Sequence, residues 1–224
     1  SSYPLIVGGI LSPQMTAVAA IRHNGQPHCP PSWIGQELLL TAAHCQPYVS
    51  GGWQILDTSG GIYKPTMWLV NKDYDESIFG MHDTMLIVVE PVGLAEHVHD
   101  IFALPSSDDS IPDMLVSAGY GRQFSGDNSP VALRSVVLTQ EPCSDSYPGM
   151  DIPQDNLCYN SPLPSPAGTC SGDSGGPLFD PLSQTVYGVT SWGAVPCASG
   201  SSVFVGVKEH LAWIARAIAF AEQR

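Results

Sequence analysis

Positive charge is scarce in this chain of 224 residues. Eight Lys and Arg stand against 21 Asp and Glu, for a formal net charge of −13. So few cations cannot neutralise a run of phosphates, which excludes a nucleic-acid partner. Charge of either sign is thin, at 13% of residues, while apolar residues reach 43%. That balance places the chain outside the disordered class and gives it enough apolar side chains for a core. Long hydrophobic runs are missing. The longest, Leu211 to Ala221, is short and broken by Arg216, so no membrane span is expected. No CxxC pair occurs, and no His stands at finger spacing from a Cys pair, which argues against structural zinc. The segment between His44 and Asp83 lacks an acidic cluster suited to calcium, so no metal and no cofactor are expected. Asn128-Ser129-Pro130 and Asn160-Ser161-Pro162 lack the hydroxyl residue that would complete a glycosylation sequon. No internal repeat is visible.

What is present is turn chemistry and short apolar runs. Gly (22) and Pro (20) punctuate segments such as Leu38 to Ala42, Ile62 to Val70, Met85 to Val89, Leu115 to Ala118, Val131 to Thr139, Thr185 to Trp192 and Val203 to Val207. This pattern predicts an all-β sandwich or barrel. One segment differs. From Lys208 to Glu222, Leu211, Ile214, Ala215, Ile218 and Ala219 recur at helical spacing. The polar, Pro-bounded stretch Pro105 to Pro112 reads as a linker. Six cysteines permit full pairing, in an arrangement the sequence alone does not choose. Loop-closing bridges suit a turn-rich extracellular domain better than six buried thiols.

Gly172-Asp173-Ser174-Gly175-Gly176-Pro177 sets a serine among glycines. Such a backbone lets N–H groups converge beside an exposed hydroxyl, as an oxyanion hole requires. A serine hydroxyl needs a base. His23, His28, His97, His99 and His210 carry no second clue and read as structural or solvated, and His82 as a spectator or a cleft residue. His44, in Thr41-Ala42-Ala43-His44-Cys45 after Leu38-Leu39-Leu40, sits where a strand ends in small residues. Asp83 opens the apolar run Met85 to Val89 and can orient an imidazole. Gly172 to Gly176 also fits GxSxG, the nucleophile elbow of α/β-hydrolases. That reading is disfavoured because there the histidine follows the serine in the chain.

Taken together, these segments resemble the trypsin/chymotrypsin-like serine proteases. His44, Asp83 and Ser174 follow that family's order, with spacings slightly shorter than usual. Ile6-Val7-Gly8-Gly9 is similar to its mature N-terminus, Ser117-Ala118-Gly119-Tyr120-Gly121 to a strand entering its second barrel, and Ser191-Trp192-Gly193 to its substrate-binding strand. Trp213-Ile214 fits its terminal helix. The resemblance implies two six-stranded antiparallel β-barrels with a C-terminal α-helix. Barrel one would span about 18–105, barrel two about 106–207 and the helix about 208–222, within one protease domain at 6–224. It implies disulfides Cys29–Cys45, Cys143–Cys158 and Cys170–Cys197. It implies His44, Asp83 and Ser174 as catalytic residues and the N–H groups of Gly172 and Ser174 as the oxyanion hole. Residues 1–5 would be an activation-peptide remnant, with an ion pair between the freed Ile6 amine and Asp173. The specificity pocket would use Gly168 and Thr169 at its base, with Ser191, Trp192, Gly193 and Ser202 around it.

With no acid at position 168, cleavage after Leu, Phe, Tyr or Met is expected rather than after Lys or Arg. The resemblance also implies a secreted, monomeric enzyme acting on proteins or peptides and open to protein inhibitors. Its alternative is a non-catalytic homologue, zymogen-like or inhibitory, on the same fold. Pro30-Pro31 depart from the family's usual Gly-Gly.

Overall fold

The computed structural model describes residues 10–11, 15–23, 26–78, 80–93, 99–121, 132–163, 166–170 and 173–223. Among them lie the strands β1 (Ile10–Leu11), β2 (Ala20–His23), β3 (Gln26–His28), β4 (Ser32–Trp33), β5 (Leu38–Thr41), β6 (Gln54–Leu56) and β7 (Ile62–Val70). They continue as β8 (Met85–Pro91), β9 (Met114–Gly119), β10 (Arg134–Gln140), β11 (Asn156–Asn160), β12 (Pro177–Asp180), β13 (Thr185–Gly193) and β14 (Ser202–Gly206). The helices are α1 (Gln46–Ser50), α2 (Cys143–Ser146) and α3 (Leu211–Glu222), with tighter turns at Ala43–Cys45 and Lys208–His210.

Two antiparallel sheets result. One runs β3-β2-β6-β7-β8-β5-β4. Its ends meet where Val18 bridges Ser32, with Ala19 N–H donating to Pro31 O (2.9 Å) and Trp33 N–H to Ala17 O (2.8 Å). The other runs β1-β10-β11-β14-β13-β12-β9, and β9 pairs back onto β10. That closes a six-stranded barrel with β1 added outside it. Closure removes open edges, which short strands otherwise leave exposed. The fold is therefore mostly β, with two barrels and a terminal helix.

The burial pattern follows from side-chain parity. β7 alternates, burying Tyr63 and exposing Ile62, Lys64, Trp68 and Val70 to varying degrees. That is the period of a strand with one solvated face. β8 behaves otherwise: Met85, Leu86, Ile87, Val88 and Val89 are all buried. It lies between β7 and β5, and α3 packs against it, so both of its faces need apolar side chains. The helix buries Ile214, Ala217 and Ala221, a stripe at helical spacing. Trp33, Leu39, Ile55, Tyr63 and Ile87 fill barrel one; Leu138, Tyr159, Leu178 and Phe204 fill barrel two.

Residues 99–105 carry the chain between barrels. Phe102 packs on Phe179 with ring centroids 4.9 Å apart. Ala103 forms a parallel bridge with Thr185, its N–H donating to Gln184 O at 2.8 Å and its carbonyl accepting from Val186 N–H at 3.0 Å. The following segment is held at the foot of α3, where Lys208 Nζ donates to Asp109 O at 2.6 Å. Three disulfides, Cys29–Cys45, Cys143–Cys158 and Cys170–Cys197, account for every cysteine. Among the described residues, no helix is long and apolar enough to cross a membrane.

Candidate active site

β5 ends at Thr41, and the chain turns tightly through Ala43–Cys45. Ala42 and Ala43 are buried, and the Cys29–Cys45 bridge anchors the turn. His44 is thereby held at the barrel junction with 29% of its side chain exposed. Asp83 approaches from the start of β8 and is almost wholly buried. His44 Nδ1 lies 2.6 Å from Asp83 Oδ2, and the His44 backbone N–H donates to Asp83 Oδ1 at 3.0 Å. Two contacts from one residue fix both the imidazole orientation and its tautomer. A third donor completes the carboxylate: Ser191 Oγ–H reaches Asp83 Oδ2 at 2.7 Å. These contacts satisfy the oxygens of a carboxyl group that burial has taken out of water.

Ser174 sits on the turn leading into β12. The turn is tied down on both sides. Gly175 N–H donates to Thr190 O at 2.7 Å, Gly176 N–H to Asp173 O at 2.9 Å, and Thr190 N–H to Gly176 O at 2.8 Å. Gly175 has φ +87°, and a Cβ there would collide with the Thr41 hydroxyl and Cys45 Sγ. Only glycine adopts this backbone this close to the His44 turn. Cys45 Sγ lies 3.7 Å from Ser174 O, so the serine loop abuts the histidine turn across the barrel junction. Among the described residues, no hydrogen bond joins the Ser174 hydroxyl to the His44 ring. Such contacts are often long before substrate arrives.

Asp173 is fully buried and accepts from Gly121 N–H and Cys170 N–H, both at 2.7 Å. Burial pushes its carboxyl up to about 8, against the pull of those two donors. As a carboxylate it would be a buried charge, which a cation nearby would compensate. Ile6, assigned that role by resemblance, lies outside the described residues, as do Ser1–Leu5, Gly172 and His97.

Two cavities flank the site. One of about 170 Å³ is lined by Thr169, Cys170, Ser174, Thr190, Trp192, Gly193, Ala194, Val195 and Cys197. None of these side chains is charged. Of the residues the sequence suggests for the pocket, Thr169, Trp192 and Gly193 form its wall. Gly168 and Ser202 are buried behind it: Ser202 Oγ accepts from Thr169 N–H at 2.9 Å and lies 3.0 Å from Thr169 Oγ1. Ser191 turns away toward Asp83 and lines the second cavity, of about 300 Å³, with His44, Tyr74, Glu76, Gly80 and Trp192. A Cβ on Gly80 would reach 2.6 Å from Ser191 Oγ, so glycine there leaves room for the serine–aspartate bond.

Sequence reasoning missed Gly80, Ala194 and Val195. A glycine three positions before an aspartate is too weak a signal to find. The register of β13 against β14 shifts between Thr190 and Trp192, and that irregularity re-aims Ser191.

Comparison with known proteins gives one answer. The family model described as Trypsin matches residues 6–214. The venom plasminogen activator Haly-PA of Gloydius brevicauda is 32% identical over 209 residues, covering 85% of this chain and 78% of that protein. Chymotrypsin-2 of Vespa crabro is 30% identical over 221 residues, covering 93% and 98%. Among solved structures, human heparin binding protein superposes with a TM-score of 0.78 at 25% identity, covering 94% of this chain and 95% of that one. Neuropsin, a serine protease expressed in the limbic system of mouse brain, gives 0.80 at 23%, covering 95% and 100%.

Proposed function

This chain belongs to the trypsin family, and from that membership we propose that it is a secreted serine endopeptidase cleaving after uncharged side chains. The observation carrying this reading is the His44–Asp83 contact at 2.6 Å beside the rigidly tied Ser174 turn. In the proposed reaction, Ser174 Oγ attacks the peptide carbonyl while His44 Nε2 takes its proton. Asp83 keeps Nδ1 protonated and stabilises the imidazolium that forms. The developing oxyanion is held by the N–H groups of Gly172 and Ser174. His44 then hands the proton to the departing amine, leaving an acyl-Ser174 ester. Water, deprotonated by His44, releases the acid and restores the hydroxyl.

Specificity rests on the first cavity. Its uncharged lining supports Leu, Phe, Tyr or Met as the residue preceding the cut, since a buried Lys or Arg would find no counter-charge. The three disulfides support an extracellular setting. Activation is proposed to follow from cleavage after Leu5, placing the new amine of Ile6 against Asp173. The raised carboxyl of Asp173 supports the need for that cation. A pocket that takes Leu could make this cut itself.

The second reading is a non-catalytic homologue, since the fold alone does not fix function. Heparin, named for one structural neighbour, is not carried over: a chain with eight basic residues and a charge of −13 lacks the cations a polyanion needs. An organophosphate serine reagent separates enzyme from homologue. Stoichiometric labelling at Ser174 with turnover of Leu or Phe peptides supports the peptidase, and an unlabelled, inert processed chain supports the homologue. Faster cleavage after Arg than after Leu or Phe would overturn the pocket assignment.

A further inference from the structure

Among the described residues, a second group of titratable side chains gathers around a buried carboxylate. His82 lies in the loop before β8, Asp155 just before β11, and His210 in the turn leading into α3. His210 Nε2 is 2.8 Å from Asp155 Oδ2, and His82 Nδ1 is 3.8 Å from the same oxygen. All three donor atoms fall within 4.8 Å of one another. The two rings meet edge to face, with centroids 5.1 Å apart. Asp155 and His210 are buried, with 9% and 5% of their side chains exposed, while His82 is 35% exposed. The other grouping of possible ligands, Cys29 and Cys45 with His44, offers no thiolate because its sulfurs are joined.

We propose that His82, Asp155 and His210 form a binding site for one divalent cation of the zinc class. Two imidazoles and one carboxylate are a known ligand set for such an ion. Tetrahedral ligands at about 2.0–2.1 Å stand roughly 3.3 Å from each other, and the observed 2.8 Å and 3.8 Å straddle that spacing. Shifts of about half an ångström suffice, and the half-exposed His82 can supply most of them. A single carboxylate cannot satisfy calcium, which wants six to eight oxygens. The fourth position opens toward solvent beside His82 and takes a water. Binding takes the proton from His210 Nε2, and His210 Nδ1 carries one instead, so that the ligand is a neutral imidazole and Asp155 a carboxylate.

Two further observations support the site. Asp155 Oδ2 also accepts from the His82 backbone N–H at 2.9 Å, which holds that oxygen between the two rings. Asn156 Nδ2 donates to Asp155 Oδ1 at 3.0 Å, fixing the oxygen that does not face the imidazoles, and Asn156 Oδ1 accepts from Trp192 Nε1 at 3.1 Å. Outer partners of this kind orient metal ligands. Here they lead to the wall of both cavities beside Ser174 and His44. A bound ion would therefore pin the loop carrying Asp83 to barrel two and to α3. The ligands lie 73 and 55 residues apart, so no local spacing in the sequence signals them.

The inference does not depend on the peptidase reading. Chelator-treated whole chain is titrated with Zn2+ by calorimetry and with Co2+ by visible absorption, alongside His82→Ala and His44→Ala. The expected result is one ion per chain and the intense Co2+ spectrum of a tetrahedral site. Binding should survive in His44→Ala and weaken at least tenfold in His82→Ala. Zn2+ should raise Tm in the parent chain and not in His82→Ala. Absence of saturable binding, a weak octahedral Co2+ spectrum, unchanged affinity in His82→Ala, or loss in His44→Ala would each overturn the proposal.

Discussion

Two histidine–aspartate pairs stand at the junction of the barrels, and by distance alone they are nearly the same object. His44 Nδ1 meets Asp83 Oδ2 at 2.6 Å, and His210 Nε2 meets Asp155 Oδ2 at 2.8 Å. Both carboxylates are buried and both accept a backbone N–H, from His44 and from His82. What separates them is what the far side of the imidazole faces. His44 keeps 29% of its side chain exposed and abuts the Ser174 turn. His210 is 5% exposed, and its neighbour is the His82 ring. A His–Asp pair is thus a device for aiming an imidazole; access and the third group decide what it is aimed at.

Substitutions can break this comparison. The largest effect should come from the nucleophile. Ser174→Ala should lower turnover about 10^6-fold, read as kcat on a Leu or Phe peptide, with Tm unchanged; activity near the parent level would sink the assignment. Next comes the orienting acid. Asp83→Asn should reduce kcat about 10^4-fold by favouring the wrong tautomer of His44. Asp155→Asn should act first on Tm, its loss of kcat at least a hundredfold smaller. Equal losses from the two would erase the distinction between the pairs. Ser191→Ala removes one of the donors to Asp83 and should cost on the order of tenfold in kcat/KM, with about 1.5–3 kcal/mol of stability, as for a hydrogen bond to a charged group.

Smallest in its effect on turnover is a pH dependence of stability that contrasts Asp173 with the donor-rich Asp83. The folded Asp173 carboxyl is raised to about 8, against about 3.9 in an unfolded chain. Between those values the folded state holds a proton that the unfolded state has released, so stability falls as pH rises through the window and levels off above it. A Ser174→Ala chain that keeps residues 1–5 should show this slope in Tm. A chain beginning at Ile6 should lose most of it, because the amine favours the carboxylate. Identical slopes would refute the Ile6–Asp173 pairing.

The parts of this site that could be read in the sequence are those with local shape. The run Leu38 to Cys45, the aspartate before Met85 to Val89, and the glycines around Ser174 each carry their chemistry within a few residues. Barrel architecture was also legible, through strand-length apolar runs and the family likeness. Side-chain direction was not. Ser191 reads as a pocket wall until the irregular register of β13 turns it toward Asp83. Ser202 reads as a pocket wall but is buried against Thr169, whose N–H it accepts. His210 looked like a solvated or structural histidine. Its burial beside Asp155 depends on the Lys208–His210 turn meeting the residue that precedes β11, a contact between residues 55 positions apart.

One consequence follows from the smallest strand. β1 precedes barrel one in the chain yet pairs with β10 of barrel two, Ile10 against Ser135. A chain made from its N-terminus must therefore hold β1 unpaired until more than half of its length has emerged. Ser174 arrives later still, after His44 and Asp83 are in place. Non-local pairing of this kind slows folding, and domains form in the order in which they are synthesised. On the proposed peptidase reading, a half-made chain then contains a base and its acid but no nucleophile, so vectorial synthesis itself withholds cutting power until most of the molecule exists.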